Sequence, residues 1–345
     1  MSFSVGIIGL PNAGKSTLFK AITKKEVDIA AHPFTTIQPN VGIVAVPDER
    51  LKKIAQVIQP EKTTETIIEF IDIAGLVKGA HKGEGLGNQF LSHIRKCDAV
   101  IEVVRTFENP DIEHIDGNTN PERDIETIKI ELLMKDLETL ENALSKLEKE
   151  AKIRDKKVLK RFELFRKIKE LVSQGKLISE IDLTDEEKLD IKEYRLLTEK
   201  PMLYLFNINK KSADSNSELE HLTMNLKDEE EISELTESEI KELEMKSQLD
   251  QLILNCYNIL DLITFFTITG GKEARAWTLK KGSNALSAAE KVHSDFKERF
   301  IRAEVIPWQK LVEANSWSTA KESGSIKTVG KEYIVQDGDV IEFKI

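Results

Sequence analysis

Residues 9–16 read GLPNAGKS, which fits the pattern GxxxxGK[ST] of a phosphate-binding loop. The apolar run Val5–Ile8 precedes this loop and a helix-like stretch follows it, which is the strand–loop–helix context that the motif requires. Backbone N–H groups of such a loop turn inward around phosphate oxygens, and the helix N-terminus adds positive partial charge. We therefore predict a nucleotide site whose residues in this loop are Asn12, Ala13, Gly14, Lys15, Ser16 and Thr17.

Two further segments supply parts of a nucleotide switch. HPFTT, at residues 32–36, follows the first helix, where a mobile loop carries a threonine for Mg²⁺. The β-branched run Ile67–Ile71 ends in DIAG, at residues 72–75. A carboxylate at the end of this strand suits Mg²⁺, and the glycine N–H suits the γ-phosphate. We predict Ser16, Thr36 and Asp72 as Mg²⁺ ligands, with catalytic charge stabilisation by Lys15 and the backbone of Gly75.

The base site is predicted after the apolar run Pro201–Phe206, where NINK occupies the place of the guanine-reading motif NKxD. We expect Asn207 and Ile208 to contact the base. Lys210 stands where a guanine site carries Asp, and an ammonium has only donors for guanine N–H groups that need an acceptor. The sequence therefore predicts a preference for ATP.

The residue after DIAG is Leu76, where Ras-like enzymes carry the glutamine that orients water. An aliphatic side chain forms no hydrogen bond with water, so slow intrinsic hydrolysis is expected. Related P-loop proteins that lack this glutamine often hold K⁺ with an Asn in the loop, which makes Asn12 a candidate K⁺ ligand. The alternative is that Asn12 only caps the loop.

Composition sets further bounds. A chain of 345 residues is long enough for two or three domains. Two cysteines imply no disulfide framework, and neither a signal peptide nor a membrane span is expected, so we predict a cytoplasmic protein with no membrane partner. The net charge of −10 hides an uneven distribution: Lys146–Lys169 carries eleven basic against four acidic residues, whereas Asp214–Lys246 carries twelve acidic against three basic.

The alternation of strands and helices predicts an α/β fold, a P-loop NTPase with a doubly wound, mainly parallel sheet. We assign its G domain to residues 1–128 and 200–262. The predicted strands are Val5–Gly9, Val41–Val46, Ile67–Asp72, Ala99–Val104, Pro201–Phe206 and a weaker one near Glu220–Met224, closed by helix Leu249–Leu260.

A helical insertion is predicted over residues 129–199. One apolar stripe has heptad spacing and a second follows it, which favours two antiparallel helices forming a coiled-coil arm. The alternative is a helical pair packed flat on the G domain. The stripes are Leu133, Leu137, Leu140, Leu144, Leu147 and Ala151, then Val158, Phe162, Phe165, Ile168 and Val172.

Residues 263–345 predict a separate α+β domain of the β-grasp kind, with short strands around one helix, Ala285–Val292. The predicted strands are Phe265–Ile268, Ala274–Leu279, Ile326–Thr328, Tyr333–Val335 and Val340–Lys344.

Taken with these motifs, the chain resembles the Obg-like ATPase family, the bacterial YchF proteins. The matching stretches span nearly the whole chain: GLPNAGKSTLF, PFTTIQPNVG, DIAGLVKGAHKGEGLGNQFL, Arg105–Glu126, ITFFTITGGKEARAWTL, FIRAEVIPW and YIVQDGDVIEF. The resemblance implies an ATP-preferring, ribosome-associated P-loop hydrolase with an OBG-type G domain, a helical insertion and a C-terminal TGS domain.

The resemblance also bears on single residues. His114 matches a histidine typical of the family and is a candidate to position water in place of the missing glutamine; the alternative is a structural histidine, and His81 is a second candidate. The family has Asn-x-x-Glu at the base site, where this chain has Lys210. The family's Ser-Ala-Lys loop aligns with residues 225–227, Asn-Leu-Lys.

The predicted function is that of an ATP-hydrolysing, Mg²⁺-dependent switch that binds the large ribosomal subunit or the whole ribosome. RNA contact is expected through the basic segment Lys146–Lys169, and no DNA partner is expected. Two alternatives remain open: a GTP-specific ribosome-assembly factor of the Obg kind, and a nucleotide-gated binding module in which hydrolysis is incidental.

Overall fold

The structure is a computed structural model of the 345-residue chain. It describes residues 3–24, 40–73, 86–112, 114–115, 117–151, 155–209 and 219–345, apart from the side chains of residues 86–89, 151 and 237.

Twelve strands occur in these parts of the chain. They are β1 (Phe3–Ile8), β2 (Val41–Ala45), β3 (Lys62–Thr64), β4 (Ile67–Asp72), β5 (Ala99–Arg105), β6 (Met202–Asn207), β7 (His221–Met224), β8 (Leu262–Thr269), β9 (Glu273–Lys280), β10 (Arg302–Pro307), β11 (Lys327–Val329) and β12 (Asp339–Lys344).

The α-helices of the same residues are α1 (Lys15–Thr23), α2 (Glu49–Ile58), α3 (Leu86–Lys96), α4 (Pro121–Ala151), α5 (Lys156–Ser173), α6 (Asp185–Ile191), α7 (Leu226–Glu234), α8 (Glu237–Glu242), α9 (Leu249–Ile259), α10 (Ala285–Val292), α11 (Ser294–Arg299), α12 (Trp308–Ala314) and α13 (Trp317–Glu322). No helix in the described residues combines the length and apolarity needed to cross a membrane.

The first sheet has the strand order β2-β4-β1-β5-β6-β7. Only β2 runs antiparallel to its neighbour β4; the remaining pairs are parallel. Successive residues of the central strands face opposite sides, so Ile7 packs with α1 and α9 whereas Ile8 packs with α3 and the start of α4. The predicted doubly wound, mainly parallel sheet is confirmed, and the carboxyl ends of its strands meet at the phosphate-binding loop.

The helical insertion is built around its own core. Leu140 and Leu147 of α4 pack against Phe165 and Ile168 of α5, and the predicted apolar stripes supply these contacts. Near its start, α4 instead packs on the first sheet through Ile128. One continuous helix therefore leaves the G domain and becomes the first half of the helical arm, which we define as the helix pair from residue 133 to residue 173.

The second sheet has the order β11-β10-β12-β8-β9-β3, with α10 packed beside it. The sequence analysis predicted no strand over residues 302–307, where the structure has β10. The expected strand Tyr333–Val335 is wrong: Ile334 forms only an isolated bridge with Asn284. Its backbone bonds to the residues at the start of α10 instead: the N–H of Ala285 donates to the carbonyl of Tyr333, and the N–H of Val335 donates to the carbonyl of Ser283.

The second sheet also takes in a piece of the predicted G domain. Strand β3 pairs in parallel with β9, and Leu51 and Ile54 of α2 lie in one core with Phe266 and Ile306. The guanidinium of Arg50 in α2 lies 2.6 Å from the carboxylate of Asp337. Residues 49–64 therefore belong physically to the C-terminal sheet although they precede it by about two hundred residues of sequence; the predicted domain bounds stay a prediction.

Candidate nucleotide-binding site

The phosphate-binding loop lies between β1 and α1. Gly14 closes it with φ of 111°, a conformation that favours glycine. A Cβ atom at Gly14 would lie 2.6 Å from Nδ2 of Asn207, so a larger residue would push the loop away from β6. No side chain caps α1, and the N–H groups of its first turn therefore remain suited to phosphate oxygens.

Lys15 lies against the inside of this loop. Its Nζ donates to the carbonyl of Leu10 at 2.8 Å, and the residue is 8% exposed. Burial lowers the pKa of Lys15 from 10.5 to about 8, although the negative charge of Asp72 opposes the shift. An anion placed beside the amine favours its charged form, so the site is prepared for phosphate.

Ser16 and Asp72 meet where α1 begins and β4 ends. Burial raises the pKa of Asp72, against the opposing effects of the Lys15 charge and a hydrogen bond from Ser16. A hydroxyl and a carboxylate side by side are the oxygen ligands that Mg²⁺ prefers. Within the described residues no group of three His, Cys, Asp or Glu side chains could hold a metal, so a metal here would take most of its ligands from nucleotide and water.

Asn207 joins the phosphate side of the site to the base side. Its Nδ2 donates to the carbonyl of Ala13 at 3.0 Å, and its Oδ1 accepts from the backbone N–H of Leu226 at 3.3 Å. The side chain is thereby fixed between the loop, β6 and the start of α7. One hydrogen of the amide remains for a base.

An open cavity of about 740 Å³ lies beside these groups, large enough for a nucleotide. The predicted residues that line it are Asn12, Gly14, Lys15, Ser16, Thr17, Asn207 and Ile208. Ala13 contributes its carbonyl to Asn207 rather than a lining side chain. Five of the residues discussed above lie outside the described residues, namely Thr36, Gly75, Leu76, His81 and Lys210.

Sequence reasoning missed one wall of the cavity, which Phe107, Asn109 and Ile112 form after β5. Arg105 holds this wall in place, because its guanidinium donates to the carbonyls of Phe107 at 2.9 Å and Ile112 at 3.1 Å. Arg105 is also stacked 5.2 Å from the Phe107 ring centre. The signal was an arginine that ends the buried run AVIEVVR, with an aromatic residue two positions later.

The opposite wall is the start of α7. Asn225, the first residue of the loop that aligns with Ser-Ala-Lys, caps this helix and accepts from the N–H of Lys227. Asp228 and Glu231 line the cavity beyond it. These carboxylates near the base pocket were not predicted, because their acidic run indicates a solvated helix surface.

His114 lies beneath the phosphate-binding loop and is not among the residues lining the cavity. Its Nε2 is 2.9 Å from Oδ2 of Asp124, and both side chains are buried. With Leu10 and Pro11 the pair surrounds a void of about 10 Å³. The predicted role of His114 in positioning water stays a prediction.

Comparison with known proteins gives the family. Residues 4–140 match the family model described as 50S ribosome-binding GTPase, and residues 262–345 match that of the YchF GTPase C-terminal domain, described as of unknown function. The chain is 45% identical to the ribosome-binding ATPase YchF of Bacillus subtilis (strain 168), covering 100% of this chain and 99% of that protein. The chain belongs to the YchF family. It is 42% identical to the YchF of Escherichia coli O157:H7, with 99% of each covered.

A solved YchF structure supports the same assignment. The YchF GTPase of Schizosaccharomyces pombe superposes with a TM-score of 0.87 at 35% identity, covering 99% of this chain and 98% of that one. The resemblance to YchF proteins predicted from the sequence is confirmed, and so is the fold class.

Proposed function

We propose that this YchF-family chain is a Mg²⁺-dependent ATPase that binds ribosomes in the cytoplasm. The observation that carries the proposal is the single cavity with Lys15, Ser16 and the phosphate-binding loop at one end and Asn207 and Ile208 at the other. The Bacillus and Escherichia relatives carry the name ribosome-binding ATPase.

Phosphoryl transfer to water then rests on charge stabilisation. Lys15 and the loop N–H groups would face the phosphates, and Gly75 would add a further N–H. Ser16, Asp72 and Thr36 would hold Mg²⁺, which neutralises charge on the β- and γ-phosphates when bound. The apolar faces of Phe107 and Ile112 would pack against the purine, with Asn207 and Ile208 at its edge.

ATP is expected to bind more tightly than GTP by about tenfold or more, because guanine N–H donors meet no acceptor at residue 210. Titrating fluorescent ATP and GTP analogues measures this. Lys210→Asp supplies the Asp of the guanine-reading pattern, with Ile208 still in place of its Lys, and should raise GTP affinity about tenfold or more. Lys210→Ala is the matched control, since it removes the ammonium without adding an acceptor.

Tighter GTP binding by the unmodified chain would favour the GTP-specific alternative. A Lys210→Asp variant with unchanged GTP affinity would point to Asp228 as the base-reading carboxylate.

K⁺ is expected to stimulate ATP hydrolysis about tenfold relative to Na⁺ at equal ionic strength. This is a small fraction of the rate increase that an arginine finger gives. Asn12 is exposed, lines the cavity and has φ of 62°. Asn tolerates this left-handed conformation, which by itself accounts for Asn at this position. Asn12→Gly keeps the conformation and removes the side-chain oxygen, so it should abolish the K⁺ effect. Equal rates in the two salts with ribosomes present would contradict the assignment.

The helical arm is the proposed ribosome contact. Lys156, Lys157 and Lys160 are exposed on α5, and Lys160 has only a 3.8 Å ion pair with Glu186. Arg161 differs, because its guanidinium is held by Glu193 and lies over the Tyr194 ring. The basic face proposed for RNA therefore excludes Arg161.

Single-turnover hydrolysis of ATP with and without ribosomes tests the function as a whole. Turnover that ribosomes accelerate supports a switch. A rate that ribosomes leave unchanged, together with nucleotide-dependent co-sedimentation, would favour the binding module with incidental hydrolysis.

A further inference from the structure

A group of buried titratable side chains lies directly beneath the phosphate-binding loop. Glu102, in the middle of β5, is 1% exposed, and its Oε1 has no hydrogen-bond partner in the described residues. Burial, assisted by the negative charge of Asp124, raises the pKa of Glu102 well above its ordinary value. Burial therefore favours the neutral form of Glu102, and Asp124 is the carboxyl group of the cluster that bonds His114.

Asp124 binds His114. The distance from Asp124 Oδ2 to His114 Nε2 is 2.9 Å, and the two side chains are 6% and 5% exposed. A carboxylate oxygen accepts hydrogen bonds, so this pairing places the hydrogen on Nε2, which donates it. Such a charge-assisted bond out of water is stronger than one between neutral groups.

This bond holds the imidazole away from the nucleotide. Leu10 and Pro11 of the loop line the same void as the pair, and this void of about 10 Å³ holds at most about one water molecule. On its other side His114 lines an open cavity of about 600 Å³ with Asn109 and Ile112, two residues that also line the nucleotide cavity, so a ring freed from Asp124 has room to turn toward it. His114 therefore reaches the nucleotide only after its bond to Asp124 opens.

Asp124 is placed to connect the bond with the helical arm. It lies in the first turn of α4, which runs without a break from Pro121 to Ala151. The far part of α4 packs against α5 and lies next to the basic face proposed for RNA. As one continuous helix, α4 is a direct structural connection between the arm and Asp124, and coupling between distant sites is carried by such elements.

We propose that Asp124 is a positioning residue that holds His114 out of the nucleotide site until the arm is engaged. The proposal rests on the proposed function, in which His114 orients the attacking water. In this proposal ATP hydrolysis is slow without ribosomes because the hydrogen bond between His114 and Asp124 is formed. Hydrolysis becomes fast when that bond is broken.

Asp124→Ala is expected to raise ribosome-free ATP turnover by roughly 10- to 100-fold with KM unchanged, the population shift that follows loss of a charge-assisted hydrogen bond. Asp124→Asn, which keeps a weaker neutral acceptor and a similar volume, should give an intermediate rate and covers the case in which alanine impairs folding. Combining either substitution with His114→Ala should remove the gain. Glu102→Gln is the matched control: it preserves a neutral side chain in the same cluster and should leave the rate unchanged.

A second readout does not depend on turnover. In ¹⁵N-histidine-labelled full-length protein, NMR should show His114 as the Nε2–H tautomer with a slowly exchanging proton, and this signal should vanish in Asp124→Ala. Absence of the signal in the unmodified chain, or a basal rate that Asp124→Ala lowers or leaves unchanged, would overturn the proposal.

The outcomes also distinguish failure of this proposal from failure of the proposed ATPase function. If ribosomes stimulate hydrolysis and His114→Ala abolishes the stimulation, but the Asp124 variants stay slow, the proposal about Asp124 fails while the ATPase stands. If the unmodified chain hydrolyses no ATP with or without ribosomes, both fail.

Discussion

Replacing Lys15 with alanine is expected to lower kcat/KM for ATP by about 10²- to 10³-fold, the effect of removing one preorganised donor from a developing charge. The Nζ atom already lies in the loop, 2.8 Å from the Leu10 carbonyl, and the side chain is buried. Little reorganisation is therefore needed when phosphate arrives, and the contact is lost completely in the variant. Phosphate release and nucleotide titration measure the two parts of the loss.

The same side chain should make ATP binding depend on pH. In the free protein the pKa of Lys15 is lowered to about 8, and phosphate oxygens should raise it again. Below pH 8 the amine is charged in both states, so no proton is exchanged on binding. Above pH 8 the free amine has lost a proton that binding must restore, so affinity should fall by up to about tenfold for each pH unit. Calorimetry in buffers of different ionisation enthalpy should detect this proton uptake.

Lys15→Arg is the control for the pH effect, because a guanidinium stays charged throughout this range. The ATP affinity of this variant should be lower because the geometry of the contact is altered. Residue 15 should no longer make that affinity depend on pH above 8. A flat pH dependence in the unmodified chain would contradict the assignment of the lowered pKa to the phosphate contact.

Reversing two charges on the arm, Lys156→Glu and Lys157→Glu, should weaken ribosome binding by about 10- to 100-fold at low salt. Each phosphate that the variant no longer contacts keeps its counterions, which are therefore not released on binding. The slope of log affinity against log salt should become shallower by about 0.7–0.9 per lost contact. Arg161 is left unchanged because its bonds to Glu193 and the Asp190 carbonyl stabilise the arm itself. Co-sedimentation across a salt series measures both quantities.

The matched control is Lys241→Glu with Lys246→Glu, which makes the same change in net charge at two exposed lysines of the acidic segment. It should leave ribosome affinity and its salt dependence nearly unchanged. Equal weakening by the two pairs would mean that net charge, rather than a local contact of the arm, governs the association. ATP affinity should be unaffected in both.

The sequence by itself predicted those features whose physical cause is local. A phosphate-binding loop requires particular residues at fixed spacing, so residues 9–16 predicted the nucleotide site without a structure. Buried parallel strands are apolar runs, and a helix that packs on one partner repeats its apolar residues at heptad spacing. These regularities located the first sheet and the arm, whose stripe from Leu133 to Leu147 packs as expected.

Only the tertiary structure decided features that depend on residues distant in sequence. β3 is three residues long, and its pairing with β9 follows from the packing of α2 on the C-terminal core rather than from its own pattern. The bond between His114 and Asp124 and the neutral state of Glu102 likewise arise from burial, which raises the cost of an unpaired charge. Periodicity records which side of an element is apolar, but it carries no information about which distant segment will cover that side.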